Sequence, residues 1–545
     1  MHSSQAHRYG CFGSRRMRHR EALQAGVLVA LRLSKCGLFC LASAHWLAIV
    51  LCSSLEGVDV SRAIDAGRIE SAAEWTGEVH VLGPVVVDKQ SVLTLRPPVR
   101  LVFSRGAGLR VEGQIVAEGT PESPVVLVGA DGVARGEWLG VEIVPVNVDV
   151  PGSRLTGCVI EGAAHGVALK RDGSSPHRVA SCTIKSCRGS GVWLDGVTGA
   201  IIEDNQVTDC GRSGEAPAGG IWCERSRDAS VVGNRIVAGA RYGILVRSGE
   251  LHTLRRNHIH GIGGKAMSTE GMGICVEHDA RRILVQSNEV KGCNYCGIAV
   301  YGPDNLVIDN DVGDSPDGIG LAGAPCTGNI VRDNRITRGW WSTLYVTSQA
   351  RDNLLVNNVV HGGDGGITTR AAGPNLWENC TFYNHNSQGS LVLMGTGIAT
   401  FRRCAIRTNG MYDLQLEYGS YARVIDSKIR KDRIAFGEGT GEHNFIEWLH
   451  TARVTVVDDA TGQGVSGAKV EFASQIDPDV RVAQATMGSG EASLEVLETT
   501  VRKDGLHDAT PHRVTVSSEG YRPAVLDSVE VRDRVELHVR LRKRE

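Results

Sequence analysis

Aromatic residues are scarce in this sequence, at 5% of 545 positions, whereas glycine reaches 67. With 42% hydrophobic residues the chain is globular in composition, so its core must be built in thin layers of small side chains between frequent turns. A basic surplus is also missing. The formal net charge is −2, and residues 1–57 hold seven Lys or Arg against two acids, which leaves −7 for the remainder. That balance argues against a nucleic-acid binder, which needs cations to displace counterions from phosphates. Long apolar runs are absent apart from GLFCLASAHWLAIVLC, Gly37 to Cys52. This run is short for a bilayer span, and behind Arg15, Arg16, Arg18, Arg20, Arg32 and Lys35 it suits the core of a signal peptide. Residues 1–57 are therefore expected to be a signal peptide or N-terminal anchor, and the protein to be exported to the periplasm, cell surface or medium. Cysteine is absent after Cys404: of the 15, four lie at or before Cys52 and eleven from Cys158 to Cys404. A chain this long is no small disulfide scaffold, so the cysteines must follow an internal architecture.

What is present is a period. Units open at Cys158, Cys182, Asn205, Asn234, Asn257, Asn288, Asn310, Asn334, Asn358, Cys380, Cys404 and Ser427, at intervals of 22 to 31 residues. Each holds short alternating runs such as GILV, GIAV and NRIV, and alternation with period two marks a strand with one buried face. Three short strands per unit cannot bury their faces alone, so the units must stack in parallel register as a β-helix, rising about 4.8 Å per coil. Asn tolerates left-handed turn geometry and its amide can bond neighbouring backbone, so the seven successive Asn openings are expected to form an internal ladder. Cys158, Cys182, Cys380 and Cys404 take the same place as small stacking residues, with disulfides between rungs left open. Cys293-Asn-Tyr-Cys296 lies in a turn. It is expected to be turn packing or a local disulfide, because no second cysteine pair completes a zinc site.

The N-x-[IV]…GI-x-[LV] pattern resembles the parallel β-helix repeat of the pectate-lyase-like right-handed β-helix superfamily. WTGEVHVLGPVVVDKQSVLTLRPPVRLVF resembles the first coils of its secreted members. The resemblance covers about residues 75–449 and implies an all-β fold with a right-handed single-stranded parallel β-helix over 58–449. It is unspecific for activity, because lyases, epimerases, hydrolases and adhesins share it. SPDGI (315–319) and HGG (361–363) are only fragments of the polygalacturonase signature, and no DPHD-type epimerase motif is present. No catalytic residues carry over from those families, and Asp317 and Asp364 read as turn residues. Over 450–545 the period vanishes, and GQGVSGAKV and VSSEGY resemble a carboxypeptidase-regulatory-like (transthyretin-like) β-sandwich. The Gly-rich GEGTGEHN is the expected join.

Alternation also assigns outward positions on each Gly-Ile strand. The fourth positions form a row of Lys170, Asp195, Glu224, Arg247, Glu277 and Tyr301, while Trp193 and Trp222 occupy second positions beside its acidic start. Insertions at 211–220 and 261–273 precede the same strand and would wall a groove. Such a groove suits an extended sugar chain, with Trp193, Trp222, Asp195, Glu224, Tyr345 and Arg370 as candidate binding residues. Arg247, Lys265, Glu277, His278 and Tyr301 are candidates for acid, base or carboxylate neutralisation. Asp195, Glu224 and Glu277 are candidate oxygen ligands for Ca²⁺. Carboxylates about 5 Å apart suit retaining hydrolysis and about 6.5–9.5 Å inversion. The same charges also read as a cross-strand ladder on a solvated face, and the tryptophans as loop cover. The expected function is action on, or binding of, a polysaccharide. If the protein is an enzyme, a lyase on acidic glycans is the first reading, with hydrolase and uronate epimerase as alternatives; a non-catalytic scaffold or adhesin is the other class. The expected partner is a glycan, with membrane contact only through an N-terminal anchor.

Overall fold

A computed structural model of the protein describes residues 62–545 except 147–148, 173–174, 213–216, 264–270, 340–341, 363–366, 371, 384–388, 395–396, 408–409 and 438–443. It is all-β, with a single short 3-10 turn at Lys431–Arg433 among the described residues. Most coils hold three strands, as the period requires, whereas the first ones, such as Ala73–Val81 with Pro84–Val87, hold two. In one three-stranded coil the strands are Leu284–Gln286, Glu289–Lys291 and Cys296–Val300, and in the next Leu306–Ile308, Asp311–Gly313 and Asp317–Ala322. They pair in parallel register, Val285 on Val307, Val290 on Val312 and Ile298 on Ile319. All six of these side chains are fully buried, so the alternating apolar set fills the solenoid interior. Because neighbouring coils repeat this register, three parallel sheets run along the molecule.

The asparagine ladder forms as expected. Nδ2 of Asn205, Asn234, Asn257, Asn288, Asn310 and Asn334 each donates to Oδ1 of the next, at 2.9–3.0 Å. Each also donates to a carbonyl of the preceding coil, as Asn257 does to Val231 O at 2.9 Å. The left-handed residue is not the asparagine but its predecessor: Asp204, Arg256, Ser287, Asp309, Asp333 and Asn357 have φ of +52° to +57°. Short polar side chains tolerate that geometry, which accounts for the recurrent Asp-Asn pair. A second ladder lies beside the first. Asn305, Asn329, Asn353 and Asn375 stack on the neighbouring corner, with amide-to-amide bonds of 2.9 and 3.0 Å where Asn329 meets Asn353 and Asn353 meets Asn375.

Cysteines behave as stacking hydrophobes. All eleven described ones are free and buried, so neither rung-to-rung nor local disulfides form. Cys293 and Cys296 cannot bond locally because the chain turns them to opposite sides. Cys293 joins the interior core, whereas Cys296 joins an outer cluster with Tyr345.

The end of the solenoid is closed by one strand, Phe445–Asp458. Its first residues are the last rung, pairing in parallel with Tyr421–Ile425. Its length then pairs antiparallel with Glu491–Arg502, and its distal half pairs in parallel with Val535–Leu541. The expected boundary at 449/450 thus falls inside a continuous strand. An antiparallel neighbour covers the ladder edge that the last coil would otherwise leave unpaired. A second sheet, Arg481–Ala485, Lys469–Ser474, His512–Ser517 and Ala524–Val529, contributes Val470, Phe472, Val514 and Val516 to a separate core.

Candidate functional site

The Gly-Ile strands form one of the three sheets, and their outward side chains fall in register. Trp193 pairs with Trp222 and Asp195 with Glu224 on adjacent rungs, then Trp222 with Leu245, Leu245 with Cys275, and Cys275 with Ala299. Glycine near the start of these strands lets neighbouring coils approach closely. A Cβ on Gly243 would meet Gly273 O at 2.5 Å, and one on Gly273 would meet Gly297 O at 2.6 Å.

The charged row is an interlocked chain. Lys170 pairs with Glu142 and lies 4.5 Å from the centre of the Trp193 ring. Trp193 Nε1 donates to Glu224 Oε1 at 3.2 Å. Arg225 pairs with Asp195 and reaches Glu224 at 3.7 Å. Arg247 stands between two carboxylates, 3.7 Å from Glu224 and 4.0 Å from Glu277. Its side chain is 52% exposed, against 11% for Glu224 and 34% for Glu277. Burial pushes the Glu277 carboxyl above the usual carboxylate range, although the Arg247 cation opposes the shift. His278 stacks on Tyr301, with ring centres 5.3 Å apart. Burial holds the Tyr301 phenol well above its ordinary range, so it stays protonated.

Beside this row the sheet is apolar. Trp222, Leu245, Met272, Cys275, Cys296, Ala299, Ala322 and Tyr345 form a buried outer cluster, with Trp193, Tyr242, Tyr295 and Tyr301 packed against it. Gly320 makes room for it: a Cβ there would lie 1.9 Å from Tyr345 Cζ, so the Tyr345 ring reclines over this rung towards Cys296.

The family model for a right handed beta helix region matches residues 146–277 and 272–429, more than half of the sequence. The chain belongs to the right-handed β-helix family. No curated protein sequence matches it. Among solved structures, the periplasmic alginate epimerase AlgG is 11% identical over 67% of this chain and 78% of its own, with a TM-score of 0.29. The catalytic domain of a GH87 α-1,3-glucanase in complex with nigerose is 12% identical over 63% of this chain and 64% of its own, with a TM-score of 0.29. The tailspike protein of E. coli bacteriophage HK620, in complex with a hexasaccharide, is 10% identical over 79% and 87%, with a TM-score of 0.32.

Within this β-helix, Trp193, Asp195, Glu224, Arg247 and Glu277 come together as one surface, with His278 and Tyr301 adjoining it. Trp222 does not offer a free face: it is 4% exposed, and its Nε1 has no hydrogen-bond partner among the described residues. Tyr345 is likewise buried in the cluster, and Arg370 is exposed on a later rung that pairs with Thr347. Lys265 and most of the second insertion lie outside the described residues, as does part of the first. The residues expected to hold Ca²⁺ are engaged with arginines. Asp195 and Glu224 are drawn towards Arg225, Glu277 faces Arg247, and no three His, Cys, Asp or Glu side chains converge among the described residues.

Asp317, taken from the sequence as a turn residue, is instead a strand residue on the outer face of the β-helix, in register with Cys296 and Ser342. It is 8% exposed and accepts one hydrogen bond, from Ser342 N at 3.1 Å. Burial pushes its carboxyl up to about 6. The signal was Asp-Gly-Ile itself, with an acid where other coils place Met272 or Cys296.

Proposed function

We infer that this protein binds and processes an extended, carboxylate-bearing polysaccharide along the outer face of the Gly-Ile sheet, between Trp193 and Tyr301. The observation that carries this reading is Arg247. Its guanidinium is half exposed and only loosely engaged at 3.7 and 4.0 Å, so donors remain for a uronate carboxylate. A bound carboxylate neutralised there makes the adjacent C5 proton more acidic. Glu277, whose carboxyl burial pushes up, is the nearby base, and Tyr301, kept protonated and stacked on His278, is a proton donor. In an elimination the C5–H and C4–O bonds break and a C4=C5 double bond forms. Glu277 takes the proton and the departing oxygen receives one from Tyr301. Trp193, half-buried beside Lys170, supplies apolar area for a sugar face. Such polymers lie outside the cytoplasm, so the reading carries export with it.

The test is incubation of the full chain with polyuronates and glycosaminoglycans while absorbance of the unsaturated product is followed, with Arg247→Ala as the inactive control. New reducing ends without that absorbance would reassign the chemistry to hydrolysis by Glu224 and Glu277. Inverted C5 centres in the polymer would reassign it to epimerisation. A second reading, glycan binding without catalysis, is favoured by one observation. Leu245, Cys275 and Ala299 are almost fully buried, so the sheet has no slot there deep enough to enclose a sugar ring. Binding with no chemical change in any polymer would establish that reading.

A further inference from the structure

Beyond the charged row, the strands Tyr242–Glu250 and Met272–Arg281 run on past a register shift between Val246 and Ser248. Their extensions align Arg227, Glu250 and Arg281 in register on three successive coils. Glu250 Oε1 pairs with Arg227 at 2.9 Å, and Oε2 pairs with Arg281 at 3.1 Å and Arg282 at 3.8 Å. One carboxylate, 17% exposed, thus organises three guanidinium groups that are each more than half exposed. Gly249 makes the close packing possible, since a Cβ there would stand 2.0 Å from Ser226 O. Arg225, Arg227, Arg281, Glu250, Asp279 and His278 line a depression of ≈ 510 Å³. Two of these residues touch the charged row: Arg225 pairs with Asp195, and His278 stacks on Tyr301. The depression is therefore continuous with the face described above.

Against Arg227, Arg281 and Arg282 stand two carboxylates, Glu250 and Asp279, which leaves one positive charge in excess and many unused N–H donors. Each guanidinium presents five donors in a planar fork, and Glu250 accepts only a few of them. Holding the forks of Arg227 and Arg281 on a common anchor fixes their separation before any ligand arrives, which lowers the ordering cost of binding.

We propose that the depression between Arg227 and Arg281 is an anion subsite, taking the carboxylate or sulfate group of a sugar unit next to the one held at Arg247. The inference rests on the glycan reading of the sheet face and adds to it a second point of charge recognition. That makes two anionic groups, on neighbouring units of one polymer, the recognised pattern. A neutral polymer would meet the Trp193 face and leave this subsite unused.

The experiment measures binding of the full chain to a polyuronate, a sulfated glycosaminoglycan and a neutral glucan by calorimetry at two salt concentrations. Arg227→Gln/Arg281→Gln is expected to weaken the acidic polymers by about tenfold or more and to flatten their salt dependence. Loss confined to the polyuronate identifies the carboxylate as the ligand, and loss confined to the sulfated polymer identifies the sulfate. Glu250→Gln, which keeps both arginines and removes the competing anion, is expected to bind at least as tightly; its circular dichroism reports whether the fold survives. If the double variant binds acidic polymers as the parent does, the subsite is overturned while the Arg247 face stands. If the parent binds no polymer, the glycan reading falls, and the subsite is probed with glucuronate and inorganic sulfate alone. Thermal stabilisation of the parent but not of the double variant keeps the subsite, and equal responses end it.

Discussion

Asn288→Ala would interrupt the asparagine ladder at its middle, and the cost can be worked from the bonds made there. Asn288 Oδ1 accepts from the Asn257 backbone N–H and from Asn257 Nδ2, both at 2.9 Å. Its Nδ2 donates to Leu254 O at 2.9 Å and to Asn310 Oδ1 at 3.0 Å. Four buried hydrogen bonds disappear together, and the Asn257 N–H is left without a partner. At about 1 kcal/mol net per bond, with about 1 kcal/mol or more for the orphaned donor, the loss is about 5 kcal/mol. Asn358→Ala offers an internal comparison at the ladder's end. It loses three well-formed bonds, from Asn334 N and Nδ2 and to Val331 O, while its fourth contact, Cys380 Sγ, lies 3.9 Å away. Its cost should therefore be smaller. Because coils of a solenoid can open locally, urea unfolding should be paired with amide hydrogen exchange. Protection at Asn257 should fall most, and protection in coils far from the substitution should change least. A cost below about 1 kcal/mol for Asn288→Ala, with exchange at Asn257 unchanged, would refute the reasoning.

Three further outcomes are expected. Gly320→Ala should lower the melting temperature, at a cost of about 1–3 kcal/mol, because its Cβ collides with the Tyr345 ring; adding Tyr345→Leu should restore much of the loss. Trp222→Ala should cost about 3–5 kcal/mol of stability, being a nearly buried side chain, while Trp193→Ala should cost less stability and weaken glycan binding more. Asp317→Asn should stabilise the protein at neutral pH and do little at pH 4. The Asp317 carboxyl titrates near 6 in the fold against 3.8 in the open chain, so its ionisation lowers stability as pH rises across that window and the loss is complete above it. Melting curves between pH 4 and 7 read this directly, and a parallel rise at both ends would contradict it.

The architecture was largely legible because it is written as a local period. Stacking identical coils puts each residue next to its counterpart one unit along, so a 22-residue step from Asn288 to Asn310 already implies a contact. The charged row was readable for the same reason: Asp195 meets Glu224, and Arg247 stands between Glu224 and Glu277, because strand alternation assigns faces. Trp222 and Tyr345, outward positions and candidate binding residues in the sequence, are buried in the fold, since alternation says which way a side chain points and nothing about what folds over it. Asp317 was missed because a turn motif and a strand start share the same residues.

The sequence by itself determined the coil, its inward set, the ladder at Asn205–Asn358 and the order of charges along one face, because each depends on spacing within or between adjacent repeats. Only the tertiary structure decided that Tyr345 lies back over Gly320, that Asp317 loses its water, and that Glu250 gathers Arg227, Arg281 and Arg282. Those outcomes depend on side-chain direction and on a register shift. Both are settled by packing between coils, and no period in the sequence encodes them.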